Sequence, residues 1–176
     1  MRIVTDENGH RIVVIPDIIF KSKRNIRWSE VEKYLQKNVG QIITIAETND
    51  IVYIGKNFPD EFKGSNYTRS LKNAIAKVKA NAAQGIPEML AIATEKRFNP
   101  NKKDRHSSDA GKGWYYYTTR FALPIYDNEI KTDVYNIYSA CLLVNCTAFG
   151  KFYLYDLVDI KREASTPLKN YIIAEW

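Results

Sequence analysis

The sequence predicts an α+β fold in which helices lead into a four- to five-stranded antiparallel sheet. Three observations carry this reading. Three β-rich stretches, 114–125, 133–146 and 152–161, follow one another with only the turns Asp127-Asn128 and Phe149-Gly150 between them, as in an antiparallel meander. Two amphipathic segments, "WSEVEKYLQKNVG" and "TRSLKNAIAKVKANAAQG", precede them. The chain has 176 residues, 45% hydrophobic and 26% charged, which is enough for one packed core. Helices that come first and strands that come later place the helices on one face of the sheet.

Each element has its own local reason. Residues 1–22 alternate apolar runs around Asn8-Gly9, which predicts a hairpin; residues 1–24 are expected to form an N-terminal extension of a domain spanning 25–176, with "KSKRN" at the boundary. In the first helix Ser29 and Glu32 are spaced as a capping box, Val31, Leu35 and Val39 form the apolar stripe, and Gly40 stops it. "IITIAETNDIVYIG" reads as a hairpin turning at Thr48-Asn49-Asp50. In the second helix Leu71, Ala74, Ile75, Val78 and Ala82 share a face, while Arg69, Lys72, Lys77 and Lys79 lie elsewhere. Gly85 ends it, and Pro87 begins a further helix to about Arg97. "NPNKKDRHSSDAGKG" then reads as a long polar loop of the kind that often carries function.

Charge narrows the partners. Between Lys63 and Arg105 there are ten Lys/Arg against three Asp/Glu, a surplus of seven in a chain whose net charge is +6. Such a concentration suits a phosphate backbone, and a solvated helix face is the plainer alternative. Lys72 and Lys79 are the expected backbone contacts on the helix. No apolar run approaches the roughly 20 residues a membrane helix needs, and no signal peptide is expected. Cys141 and Cys146 lie five apart on one strand, so they point to opposite faces and do not bond to each other. A cytoplasmic protein with no membrane partner is the resulting expectation.

Metal and cofactor chemistry find no ligand set. The two histidines are 96 positions apart, and no His-x-x-His, Cys-x-x-Cys or phosphate-binding glycine motif is present, so no metal and no cofactor are expected. RNA cleavage by attack of the 2′-hydroxyl on its own phosphate needs neither. It needs a proton-transfer group, which His106 supplies with an ordinary pKa of roughly 6.5. It also needs cations on the phosphate: Arg120 through its planar fork, with Lys112 and Arg105 as second choices. Trp114 and Tyr116 share a strand face with Thr118 and Arg120 and are placed to stack bases, although sheet packing accounts for any single ring.

The stretches "IITIAETNDIVYIGKNFPDEF", "KANAAQGIPEMLAIAT", "RHSSDAGKGWYYYTTRFALPIY" and "FYLYDLVDIKREASTPL" resemble the barnase–EndoU–colicin–RelE superfamily, in its phage and conjugative-element branch. The resemblance covers roughly residues 28–168. It implies a metal-independent, barnase- or RelE-like ribonuclease with its site on the concave face of the sheet. Position by position it implies a catalytic basic residue at His106, a strand arginine at Arg120, and an end-of-sheet pattern at Lys161-Arg162 with Ser165-Thr166-Pro167. The departures are a second catalytic histidine, since His10 lies outside the resembling region, and a glutamate base with no clear position.

The reading that follows is a metal-independent endoribonuclease, a toxin or effector of a mobile element. Its expected partners are tRNA or mRNA and a cognate antitoxin or immunity protein. His106, Arg120, Tyr155, Lys161, Ser165 and Thr166 are expected to converge in one cleft, with Arg105, Lys112, Trp114, Tyr116, Lys72 and Lys79 binding the strand. A non-catalytic nucleic-acid-binding module is one alternative. A phage or plasmid protein that binds and inhibits a host protein is the other.

Overall fold

The structure, a computed structural model, describes residues 1–22, 24–99, 111–163 and 168–169. In chain order its strands are β1 (Arg2–Thr5), β2 (Arg11–Val14), β3 (Ile42–Thr44), β4 (Ile51–Tyr53), β5 (Thr94–Asn99), β6 (Trp114–Asp127), β7 (Ile130–Cys146), β8 (Phe152–Arg162) and β9 (Leu168–Lys169). The helices are α1 (Trp28–Leu35), α2 (Phe58–Gly64), α3 (Asn66–Ser70), α4 (Ala74–Ala82) and α5 (Ile86–Ala91).

Among the described residues all nine strands belong to one mixed sheet, whose main path runs β1-β2-β6-β7-β8-β4-β3. β5 pairs β6 and β9 pairs β7, each alongside a main-path neighbour. The antiparallel meander β6–β7–β8 is the backbone of this sheet, with β6 and β7 reaching 14 and 17 residues. Each remaining hairpin docks one strand in parallel on the meander: Val13 and Val14 face Phe121 and Ala122, and Val52 and Tyr53 face Phe152 and Tyr153.

This corrects the expected fold class. Helices do not lead into a four- or five-stranded antiparallel sheet; short helices of five to nine residues pack against a larger mixed sheet curled into a half-barrel. The reason lies in burial on both faces. Ile12, Val13, Val14 and Ile15 are 0–2% exposed, a continuous apolar run of the kind a two-sided interior strand requires. The hairpin expected as an extension is therefore built into the sheet. A second correction concerns 94–97, read as the end of a helix. Thr94–Asn99 is β5, because the edge of β6 from Trp114 to Thr118 offers it a ladder, entered through an irregularity at Glu95 with φ +55°.

The expected Thr68–Gln84 helix is also two pieces. Ser65 caps α3 by accepting from the Thr68 N–H, and Asn73, at φ +60°, breaks the chain before α4. Lys79, expected among the residues off the apolar face, is buried in α4.

The helices fill the concave side. α5 touches β2, β6 and β3, strands from opposite reaches of the sheet path, so the sheet curves around it. Ile86, Met89 and Leu90 of α5 pack there with Val31, Leu35, Phe58, Phe62, Tyr117, Phe121 and Leu142 in one core cluster. Each such side chain contributes roughly 1.5–3 kcal/mol by leaving water. A smaller cluster of Val4, Ile12, Val14, Ala122, Tyr135 and Ile137 closes the opposite face at the β1–β2 end. Among the described residues no helix is long and apolar enough to cross a membrane.

Candidate nucleic-acid interface

Strand alternation separates the two faces of the meander. On β6 the side chains of Tyr117, Thr119, Phe121 and Leu123 are buried toward the helices, whereas those of Trp114, Tyr116, Thr118 and Arg120 are half-buried on the outer face. The strand register turns these outer residues into rows. Trp114 faces Asn145 on β7, Asn145 faces Tyr153 on β8, and Tyr153 faces Tyr53 on β4. Asn99 and Ile42 continue the row at either end.

This row is aromatic. Tyr53 and Tyr153 lie 5.5 Å apart at 35°, and Trp114 meets Tyr155 edge-to-face at 4.9 Å. Gly55 makes room for the Tyr153 ring, since a Cβ there would sit 3.2 Å from it. Cations flank the row: the Lys151 ammonium stands 5.5 Å over the Tyr53 ring, and exposed Lys112 lies by the turn before β8, near Gly150. The segment that contains His106 leaves the described chain at Asn99 and rejoins it at Gly111, both at this end of the sheet.

One step along, Arg97 binds the face rather than projecting from it. Its guanidinium donates to Thr118 Oγ1 at 3.0 Å and to Cys141 Sγ at 3.3 Å, and pairs with Glu95 at 3.8 Å. Burial pushes the Cys141 thiol up, although Arg97 opposes it, so Cys141 is a neutral packing group.

Three steps from the Trp114 row lies a row of opposite character: Arg120, Ser139 and Lys161. Arg120 donates through Nε and Nη2 to Glu163 at 2.8 and 2.9 Å, and through Nη1 to Asp6 at 2.8 Å. Hydrogen bonding to Glu163 holds its charge, and its pKa is raised. A guanidinium balanced by two carboxylates is a structural tie between β6, the β1–β2 turn and the end of β8, at the residue expected to grip a phosphate. Lys161 is exposed beside it. On β8 Lys161 faces Ser139 and Tyr155 falls between the partners of Leu143 and Val144, four to five positions along β7, so Tyr155 and Lys161 stand roughly 13–16 Å apart. His106, Arg105, Ser165 and Thr166 lie outside the described residues.

Four of the seven described cations of the expected basic band, Lys63, Lys79, Lys96 and Arg97, are paired with carboxylates. Lys63 pairs with Glu32 at 2.9 Å and with Asp60 at 3.5 Å. Lys96 pairs with Asp50 at 2.8 Å and sits over the Tyr115 and Phe152 rings. Lys79, an expected backbone contact, is fully buried; it donates to Asp156 Oδ1 at 2.5 Å and to Thr68 Oγ1 at 2.6 Å. Desolvation pushes the Lys79 ammonium down and the Asp156 carboxyl up, each partner opposing the other's shift. Lys72 is exposed.

The sequence reading placed Trp114, Tyr116 and Tyr155 as ring candidates and missed Tyr53, Lys151 and Asn145. Tyr53 is signalled by alternation in "IVYIG", but its partner Tyr153 is a hundred residues away and joins it only through the parallel pairing of β4 with β8. Among described residues no cluster of metal-ligating side chains occurs. Comparison with known protein families, curated proteins and solved structures returned no match, so the superfamily resemblance rests on the quoted stretches alone.

Proposed function

We propose that the chain is a binding module for single-stranded nucleic acid, RNA in the first instance, and that the outer aromatic row is its contact surface. The observation that carries this is the row Trp114–Asn145–Tyr153–Tyr53: three half-buried rings in register across four strands, outside the main core cluster. Unpaired bases stack on such rings, at about 1–3 kcal/mol per base, whereas a duplex keeps its bases to itself. Lys151 and Lys112 beside the rings, and a chain pI of about 9.2, favour the accompanying phosphates. Binding is favoured over cleavage because Arg120, the described member of the expected catalytic set best suited to a phosphate, is held by Asp6 and Glu163.

Fluorescence anisotropy with a labelled RNA strand of about ten nucleotides, a length matched to such a surface, tests the reading. The strand should bind more tightly than its duplex, and Trp114→Ala or Tyr53→Ala should weaken it by roughly 5- to 150-fold. Equal affinity for strand and duplex, or no binding at low salt, would end the proposal. Incubation with tRNA and mRNA in EDTA, followed by mapping of ends, separates the endoribonuclease: cleavage that disappears in His106→Ala would establish it instead.

A further inference from the structure

At the end of β6 away from Trp114 the structure holds a cleft of about 1070 Å³, the size of a small-molecule site. It is lined by Ile18 and Lys21 of the connector after β2, by Ala74, Lys77 and Val78 of α4, and by the end of β6 with the start of β7. Hydrogen bonds fix these walls. Asn81 of α4 accepts from the Ile19 and Phe20 N–H groups at 2.9 and 3.1 Å and donates to the Phe20 carbonyl, which pins the connector to the helix. Asp17 accepts from the Tyr126 hydroxyl, which pins the same connector to β6. A connector fixed on both sides leaves the cleft formed before any ligand arrives.

The lining is apolar with a few polar groups. Half-buried Ile18, Ile125 and Tyr126 stand beside buried Val78, Leu123 and Tyr138. Two lysines, Lys21 and Lys77, face one carboxylate residue, Glu129. Among the described residues neither lysine makes an ion pair. Asp17 attracts Lys21 from a distance, but its carboxylate already accepts from the Tyr126 hydroxyl and the Ile18 N–H. Lys77 is half-buried. Four side-chain polar atoms are buried without a partner among the described residues, and only Asn136 Oδ1 belongs to a residue that lines this cleft. The same amide meets the Tyr138 hydroxyl. Apolar walls with two unpaired cations select an anion that carries an apolar body, whereas a cation of the same shape would be repelled by both lysines.

We propose that this cleft binds a small amphipathic acid. The apolar chain or ring of the ligand lies between α4 and the end of β6, its carboxylate pairs with Lys77, and Lys21 adds to the attraction. Asn136 Oδ1 offers an acceptor to a hydroxyl or N–H on the ligand. Val78, Leu123 and Tyr138 belong to the main core cluster on the helix-covered side of the sheet, and the rings of the Trp114 row do not. The site is therefore separate from the nucleic-acid surface and does not depend on it.

The probe is decanoate, below its micelle concentration, with decylammonium as the cationic counterpart. In titrations of the wild-type chain followed by amide chemical shifts, decanoate should move Lys77, Val78, Tyr126 and Asn136 first, and should bind more tightly than decylammonium. Lys77→Met should weaken decanoate by about threefold to tenfold. Lys33→Met, which removes the same charge from an exposed position on α1, should leave its affinity unchanged. Ala74→Trp, which fills the cleft from the exposed start of α4, should abolish decanoate binding while the melting temperature is kept. No shifts, or shifts confined to residues outside the cleft, would overturn the site. Equal affinity for the two amphiphiles would overturn the anionic ligand class, and equal losses in Lys77→Met and Lys33→Met would reduce the effect to net charge and overturn the role of Lys77. The shift pattern and the comparison of amphiphiles are read on the wild-type chain, so they decide the proposal even where a variant fails to fold.

Discussion

The inner and outer faces of β6–β7–β8 are made by the same three strands, yet the buried ion pairs of the one and the aromatic row of the other treat polar groups differently. On the inner face, Lys79 is matched by Asp156 and Thr68, and Asp50 is matched by Lys96 and the Tyr117 hydroxyl at 2.7 Å. On the outer face at the aromatic row, the rings are half-buried and the Asn145 oxygen has no donor. The difference teaches where the molecule is committed to its own fold and where contacts remain to be made by something else. Interior charges with complete partners hold one packing arrangement; the half-buried rings leave part of their surface to solvent.

The largest effect expected from breaking this contrast is at the buried pair. Lys79→Ala leaves the Asp156 carboxylate interior and uncompensated and should cost about 3–5 kcal/mol in denaturant unfolding. The double variant Lys79→Met/Asp156→Leu should recover most of that, because two charges and two desolvation costs vanish together. If the single variant were as stable as the wild type, the pair would not be interior in solution.

Adjacent leucines on β7 sharpen the comparison. Leu142 is 0% exposed in the main core, and Leu143 is half-buried on the outer face opposite Tyr116. Leu142→Ala should cost about 2–5 kcal/mol and Leu143→Ala about 1 kcal/mol. Equal costs would mean that something covers the outer face, and the binding surface proposed for it would be lost.

Asp50 tests the inner face by pH. Burial alone would raise its carboxyl, but Lys96, Tyr117 and Thr48 together hold it below its ordinary value of 3.8. Its contribution is therefore complete above that value and is lost as pH falls through the lowered one. Asp50→Asn should cost about 1–3 kcal/mol at neutral pH. The gap between variant and wild type should close in acid below pH 3.8. A gap that stayed constant across that range would show that the carboxylate's charge contributes nothing.

These residues also show what was legible beforehand. The meander strands can be read from β-rich runs and their turns, since alternation and turn chemistry are local. The run Ile12 to Ile15 signalled a strand buried on both sides, but nothing local says that its partner is Phe121 and Ala122 in parallel. Lys79 looked like a surface cation because its partner, Asp156, is 77 residues away. In the first helix Ser29 has the spacing of a cap, but the helix begins at Trp28 with no side-chain cap, while Val31 and Leu35 are buried. The aromatic row is legible strand by strand and invisible as a row, because register across β4, β8, β7 and β6 is a tertiary property. The orphan at Asn145 has no signature in sequence.

The smallest expected effect separates the two rows of the outer face from each other. Asp6 accepts from Arg120 and from the His10 and Asn8 N–H groups; although burial would raise it, these bonds hold its carboxyl below 3.8. The Asp6 and Arg120 side chains are 17% and 20% exposed, and solvent screens much of their attraction, so Asp6→Asn should cost only about 1 kcal/mol at neutral pH. The same variant removes one of the two carboxylates that balance Arg120 while leaving Glu163 in place. Were the Arg120 row the phosphate site, releasing this restraint would strengthen binding of an RNA strand and steepen its dependence on salt. If the aromatic row is the contact surface, about 20 Å away along the strand, affinity and salt slope should stay at wild-type values. Anisotropy titrations of Asp6→Asn at two salt concentrations decide between these outcomes, and a marked gain in affinity would move the interface from the rings to Arg120 and Lys161.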